Sequence, residues 1–139
     1  IETFTERFLA RLDVYLSDES LTPLNRLRVF LEKGLGQLEA HKFTAGSLIG
    51  DLAQELSAQN ERFRSRLDAV MLSWSERFAS CLLEAQQAGE LSASADPQTI
   101  SSFILSGWEG SVLRSKAMKS SQPIRDFIDI LFTTVLKNS

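Results

Sequence analysis

The sequence predicts an all-α protein, and three observations lead to that fold class. Apolar residues recur at spacings of three and four along most of the chain, which is the period of an amphipathic helix. No segment alternates between apolar and polar residues over the length of a strand. The three prolines, Pro23, Pro97 and Pro123, each stand where a helical pattern begins, a position that suits proline.

The first half of the chain predicts three helices, each an apolar stripe bounded by a break. Ser17–Ser20 and His41–Gly46 are those breaks. Gly34 and Gly36 weaken the second helix and indicate either a bend or a close packing contact. The three helices are expected over about residues 2–16, 22–39 and 47–56.

The second half predicts three more helices, of which the first carries the longest apolar stripe and ends at Gly89 as its C-cap. Asp96 and Pro97 open the next helix, since Asp caps a helix and Pro suits its first turn. Gly107 and Gly110 inside it cost about 1 kcal/mol each relative to alanine, so another helix or a ligand is expected to come close there. These helices are expected over about residues 59–88, 96–119 and 122–137.

Length and charge narrow the possible functions. A chain of 139 residues fits one domain, assigned to residues 1–139. Fifteen basic and 18 acidic residues give a net charge of −3, which argues against a nucleic-acid-binding surface. Basic residues near the end of the fifth helix, such as Arg114 and Lys116, are better explained by the helix dipole. No apolar run approaches the about 20 residues that span a bilayer, so no membrane partner is expected.

The residues that carry chemistry are few. His41 is the only histidine and Cys81 the only cysteine, so no metal site, no cofactor, no catalytic residue and no enzyme activity are expected. His41 is expected in a loop or at the end of the second helix. Cys81 lies on an apolar stripe, which favours a small buried hydrophobe over a reactive thiol. A lone cysteine forms no internal disulfide, which suits the cytoplasm.

The last two helices carry more apolar surface than a chain of this size needs for its own core. Such surface on adjacent antiparallel helices is typical of a partner interface, and the simplest partner is a second copy, with four helices meeting as a bundle. The alternative is that both helices pack in the core of a single chain. The residues predicted at the dimer interface are Ile104, Gly107, Ser111, Leu113, Ile124, Phe127, Ile128, Leu131 and Val135.

Aromatic and aliphatic side chains from five segments predict an apolar ligand pocket between the helices, with ordinary core as the alternative. The residues predicted to line it are Phe8, Leu12, Tyr15, Phe30, Leu31, Leu48, Leu52, Phe63, Leu67, Met71, Trp74, Phe78, Phe103 and Trp108.

The order of these motifs resembles the C-terminal ligand-binding and dimerisation domain of TetR/AcrR-family transcriptional repressors. A long aromatic-rich helix ends near Gly89, Asp96-Pro97 opens the next, and Gly107-Trp108-Glu109-Gly110 interrupts it. Arg114-Ser115-Lys116 follows, and Gln122–Phe127 begins an apolar terminal helix. The segment Ala45–Leu56 resembles the short helix after the second helix in one branch of that family.

This resemblance implies a six-helix domain whose last two helices form the dimer bundle. An N-terminal helix-turn-helix domain, absent from this chain, would bind operator DNA, and Ile1 would begin the helix that links the two parts. A small, mostly apolar effector would shift that helix and change the spacing of two DNA-reading domains, whose half-sites lie about one helical turn apart. Some relatives have a cysteine sensor where this chain has Ser47, which cannot do thiolate chemistry.

Two alternatives from other classes remain beside the repressor domain. One is a helical carrier of apolar small molecules with no role at DNA. The other is a structural dimeric bundle without a pocket.

Overall fold

The fold is a bundle of α-helices, seen in a computed structural model that describes residues 2–43 and 61–137, with the side chains of residues 2–8 and 63 left aside. Within these ranges there is no strand, so the predicted all-α class is confirmed. The short helix predicted at 47–56 lies outside the described residues. The helices are α1 (Glu2–Leu16), α2 (Pro23–Ala40), α3 (Glu61–Gln87), α4 (Pro97–Met118) and α5 (Gln122–Ile130), followed by a π-helical turn (Leu131–Val135).

The helix ends follow the local sequence signals. The hydroxyl of Thr22 accepts a hydrogen bond from the backbone N–H of Asn25 at 3.4 Å and caps α2. The carboxylate of Asp96 accepts one from the N–H of Gln98 at 3.0 Å and caps α4. Gly89 has a φ of +80°, a left-handed conformation that glycine adopts without strain, and it follows α3 as predicted.

A main core runs through the bundle, and each of these five helices contributes to it. The most extensive helix pair is α3 with α4, followed by α4 with α5. Among the described helices, none is both long enough and apolar enough to cross a membrane. The large side chains that are fully buried are Leu12, Leu27, Leu31, Leu82, Ile104, Ile124, Leu131 and Leu136.

The last helix is shorter than predicted. Regular α-helix stops at Ile130 instead of continuing to Lys137, and a π-helical turn replaces its end. The N–H of Leu136 donates to the carbonyl of Leu131 at 2.8 Å, a bond five residues long. The wider turn lets both leucines face the core, with exposures of 2% and 0%. Burial of these two side chains therefore accounts for the departure from α-helix.

Gly34 explains how closely α2 and α4 approach. A Cβ atom added to Gly34 would lie 2.8 Å from Cζ2 of Trp108, so only glycine leaves room for the indole. Of the two readings of the glycines in α2, the close packing contact is therefore the correct one for Gly34. Beyond its own helix backbone and chain neighbours, no described atom lies within 4 Å of a Cβ added to Gly36.

Candidate functional site

A small apolar cluster lies beside the main core where α1, α3 and α4 meet, and Leu9 packs against both. Leu67 and Trp74 of α3 are buried at its centre. Leu9 of α1, Met71 of α3 and Leu105 of α4 are partly buried against them. We call the side chains Leu9, Leu67, Val70, Met71, Trp74 and Leu105 the satellite cluster. It brings together three of the residues predicted to line the ligand pocket, namely Leu67, Met71 and Trp74.

Other residues predicted for the pocket fill the main core instead. Phe30 lies between two aromatic neighbours, with ring centroids 5.9 Å from Tyr15 and 6.1 Å from Phe78. Leu12 and Leu31 are fully buried beside them. Aromatic pairs at these separations are typical of well-packed interiors. In the described chain these five residues therefore pack together as core.

The two faces of α4 are placed differently from the prediction. Ile104, predicted at the dimer interface, is fully buried in the core, whereas Phe103, predicted in the pocket, is 48% exposed. Trp108 is partly buried against Gly34 in the main core. Apolar side chains surround this helix on several sides, so its sequence pattern alone does not define which face is buried. Packing within the bundle buries the face with Ile104, which corrects the interface prediction for that residue, whereas Phe103 lies on the exposed side of α4.

Four of the predicted pocket residues have no described side chain. Phe8 and Phe63 lie in α1 and α3, but their side chains are not described. Leu48 and Leu52 lie outside the described residues altogether.

Two serines form the buried polar contact between α3 and α4 beside the satellite cluster. The hydroxyls of Ser75 and Ser101 lie 3.0 Å apart, and Ser101 donates to the carbonyl of Gln98 at 2.9 Å. Ser75 therefore donates to Ser101, and both hydroxyls are satisfied while buried. Small side chains here also let the two helices approach closely.

The outward sides of α4 and α5 carry exposed apolar and small residues. Phe127 of α5 lies over Gly107, where an added Cβ would be 2.8 Å from its Cδ1 atom. Its ring centroid is 6.4 Å from that of Phe103. Leu113, further along α4, and Ile130, on α5, are also exposed. We call the surface made by Phe103, Ser106, Gly110, Leu113, Phe127 and Ile130 the α4–α5 face.

Several residues predicted for the dimer interface lie beneath this face. Ile124, Ile128 and Leu131 point into the core of the chain, with exposures of 0–5%, so they support α5 from below and are corrected as contact residues. Ser111 is also buried and donates to the carbonyl of Trp108 at 2.9 Å. Gly107, Leu113, Phe127 and Val135 keep some exposed surface. Ile130, which was not among the predicted interface residues, is also exposed and lies three residues after Phe127 on the same helical face.

A cleft of about 400 Å³, lined mainly by polar and charged side chains, opens between the end of α1, the start of α2 and the C-terminal half of α3. Two ion pairs lie in its wall, Arg26 with Glu84 at 3.2 Å and Arg77 with Asp13 at 3.0 Å. Sequence reasoning missed this group. The available signal was that Arg26 lies four residues before Phe30, on the apolar stripe of α2.

Cys81 lines the same cleft, but its thiol is unreactive. Burial, reinforced by the nearby Glu84 carboxylate, raises the pKa of its thiol to about 12. The neutral thiol donates to the carbonyl of Pro23 at 3.1 Å. In the described part of the chain, no three histidine, cysteine or carboxylate side chains are grouped so that they could hold a metal ion.

Comparison with known proteins gives a consistent family. Residues 23–131 match the family model described as "Tetracyclin repressor-like, C-terminal domain". The transcriptional regulator AcuR of Cereibacter sphaeroides is 39% identical over 127 residues, which is 91% of this chain and 58% of that protein. The HTH-type transcriptional repressor DhaR of a Mycobacterium species is 27% identical over 124 residues, 89% of this chain and 61% of that protein. The chain thus spans about three fifths of the length of these relatives.

A solved structure agrees with this assignment. The regulatory protein TetR from Rhodobacter sphaeroides superposes with a TM-score of 0.88 and 38% sequence identity, covering 92% of this chain and 68% of that one. Agreement of this quality supports the same helix order in both proteins.

Proposed function

This chain belongs to the TetR family of transcriptional regulators, as a tetracyclin repressor-like C-terminal domain, and from that membership we propose that it is the effector-binding and dimerisation domain of a cytoplasmic repressor. It binds a small, mostly apolar effector and transmits that binding through α1 to a DNA-binding domain on the N-terminal side. Its role is regulatory and not enzymatic. Operator DNA is contacted only by the N-terminal domain.

The satellite cluster is the observation that supports effector binding. Its buried residues Leu67 and Trp74 are not part of the main core, and Leu9, which packs against both clusters, brings α1 into contact with α3 here. An apolar ligand that enters between these helices replaces contacts of Leu9 and so acts on α1 itself. Apolar sites with a few polar groups between bundle helices are the usual form of such pockets.

A ligand regulates the protein only if it makes different contacts with two positions of α1. An effector shifts the position of α1 only by as much as it binds one position better than the other. Couplings of this kind are about 1–3 kcal/mol, or roughly 5-fold to 150-fold in affinity. Full burial of a leucine side chain is worth about 1.5–3 kcal/mol. The free energy of replacing the contacts of one partly buried leucine therefore lies within that range.

The α4–α5 face supports the dimer. Phe103, Ser106, Gly110 and Leu113 recur at spacings of three, four and three, which is the pattern of helices that pack along one another. Phe103 and Ile130 are about half exposed in the single chain, and a contiguous patch of such residues is typical of an interface. A two-fold axis across this face places α4 and α5 of both copies in a four-helix bundle.

Tryptophan fluorescence tests effector binding, since Trp74 lies in the satellite cluster and Trp108 in the main core. Each reporter is isolated by replacing the other with phenylalanine. A library of neutral apolar compounds should contain one that changes the emission of the Trp108→Phe variant and leaves that of the Trp74→Phe variant unchanged. The same compound should release operator DNA from the protein that carries both domains.

Two outcomes contradict this proposal. If the compound binds but operator affinity does not change, the domain is a carrier of apolar molecules. If no compound alters the emission of Trp74 or the melting temperature, the effector site is refuted.

Sedimentation tests the dimer through two exposed side chains. Ile130→Asp places a charge on the α4–α5 face and is expected to give a monomer, because an interface of apolar residues does not pair the new carboxylate. Leu72→Asp is the matched control, since Leu72 is exposed to a similar extent, 56% against 53%, but lies on α3 away from this face. A dimer that survives Ile130→Asp contradicts this interface.

A further inference from the structure

Arg26 binds the C-terminal end of α1 although it belongs to α2. It is 8% exposed, and its Nε donates to the carbonyls of Asp18 at 2.8 Å and Leu21 at 3.0 Å. Its Nη1 lies 3.4 Å from the carbonyl of Leu16, one of the final carbonyls of α1 that have no partner within the helix. One side chain therefore satisfies three backbone acceptors at the end of α1 and in the following turn.

The same guanidinium also connects this turn to α3. Nη1 of Arg26 lies 3.2 Å from Glu84, and the Cys81 thiol one turn earlier on α3 donates to the carbonyl of Pro23 at the start of α2. A cation with its fixed fork of donors holds several acceptors in one geometry. The end of α1, the start of α2 and the C-terminal half of α3 are thus joined as one unit.

A second contact between α1 and α3 is of a different kind. Asp13 pairs with Arg77 at 3.0 Å, one helical turn before the end of α1. Their side chains are 57% and 34% exposed. Exposed ion pairs contribute little to stability, and salt screens them. Buried hydrogen bonds to backbone carbonyls are screened much less. This contact therefore breaks much more readily than those of Arg26.

We propose that Arg26 is a positioning residue that fixes the end of α1 as a pivot, while the Asp13–Arg77 pair restrains the tilt of the rest of the helix. The inference rests on the proposed function, in which α1 carries the effector signal. At a rise of 1.5 Å per residue, Leu9 lies about 10 Å and Glu2 about 21 Å from Leu16. A displacement of about 2 Å at Leu9, in the satellite cluster, then moves the start of α1 by about 4 Å.

Hydrogen exchange of the 139-residue chain, read by mass spectrometry, tests the pivot with two matched variants. Arg26→Lys keeps the charge but loses the fork of donors, and amides of residues 13–21 should exchange about tenfold faster, since charge-assisted bonds are lost. Arg28→Lys makes the same change two residues away, where the arginine is paired at the surface with Glu32, and should leave those amides unchanged. Protection of α4 should stay the same in both.

The restraint by the Asp13–Arg77 pair is tested with a separate variant. Arg77→Gln should speed exchange of residues 9–13 by about twofold to fivefold, as expected for an exposed pair, and leave residues 16–21 unchanged. At about 1 M salt this difference from the parent should close, because the pair is screened there. The difference caused by Arg26→Lys should persist at that salt concentration.

A purely structural role for Arg26 gives a different result. In that case Arg26→Lys lowers the melting temperature and speeds exchange uniformly through α3 and α4, and the pivot is overturned. It is also overturned if residues 13–21 stay protected. None of these measurements uses an effector, so a chain whose Trp74 never responds to a ligand refutes the proposed function and leaves the exchange pattern intact.

Discussion

Gly107 of α4 lies against the ring of Phe127, and an alanine at this position tests how closely α4 and α5 pack. A Cβ atom would lie 2.8 Å from Cδ1 of the ring and closer still to Cε1. Carbon atoms in contact normally lie about 3.5–4.0 Å apart, so the ring or the helix must move. Phe127 is half-buried and packed beside Phe103, so it turns away only by giving up that contact.

Two opposing effects determine how much Gly107→Ala changes the free energy of unfolding. Alanine favours the helix over glycine by about 1 kcal/mol. Overpacking at a tight contact costs about 1–3 kcal/mol. We therefore expect Gly107→Ala to lower the free energy of unfolding by about 1 kcal/mol, which for a domain of this size lowers the melting temperature by about 4 °C.

Gly36→Ala is the matched control for this measurement. It is a glycine inside a helix, but no described atom beyond its own helix backbone and chain neighbours lies within 4 Å of its added Cβ. Only the helix term applies, so we expect it to raise stability by about 1 kcal/mol. Thermal and urea unfolding of both variants at one protein concentration compares them, since association makes melting temperatures depend on concentration.

The two variants are expected to change stability in opposite directions. If Gly107→Ala stabilises the chain as much as Gly36→Ala, the close approach of α5 to α4 is refuted. A second comparison uses Phe127→Ala as background, where Gly107→Ala should become stabilising because the ring is gone. A coupling between the two positions below about 0.5 kcal/mol, the usual error of additivity, would also contradict the contact.

The remaining predictions concern Cys81 and Asp96. Because the pKa of the Cys81 thiol is about 12, the native chain should react with iodoacetamide at pH 8 far more slowly than the urea-unfolded chain, as measured by mass spectrometry, and equal rates would contradict its burial. Hydrogen bonds from Thr99 and then Gln98 lower the pKa of the Asp96 carboxyl. A lowered pKa contributes stability above the unfolded value of about 3.9 that is lost as the pH falls through the folded pKa. Asp96→Ala should therefore melt below the parent at pH 7, with the difference closing below about pH 4, whereas a constant difference would argue against the carboxylate as the cap.

Local signals in the sequence were sufficient for the helices and their ends. Thr22-Pro23 and Asp96-Pro97 open helices, and Gly89 ends one, because caps, fixed proline φ angles and left-handed glycine act within a few residues. The period of the apolar residues was sufficient for the all-α class. The order of these motifs also indicated the family that residues 23–131 match.

The candidate site was only partly predictable, because an apolar residue in the sequence does not show which other residues it packs against. Trp74 and Phe78 lie on one stripe of α3, yet one belongs to the satellite cluster and the other to the main core. Their separation depends on where α1 and α4 lie across α3. That placement is a property of the whole bundle.

Tertiary structure alone decided three features. Packing within the bundle selected Ile104 over its neighbour Phe103 as the buried side of α4, a helix whose apolar residues surround it. Burial of Leu136 produced the π-helical turn. The buried charge of Arg26 is compensated by carbonyls and a carboxylate from other elements, since its acceptors come together only when α1, α2 and α3 have packed. The sequence by itself thus determined the helices, and the packing of those helices decided which of their faces are buried and which are exposed.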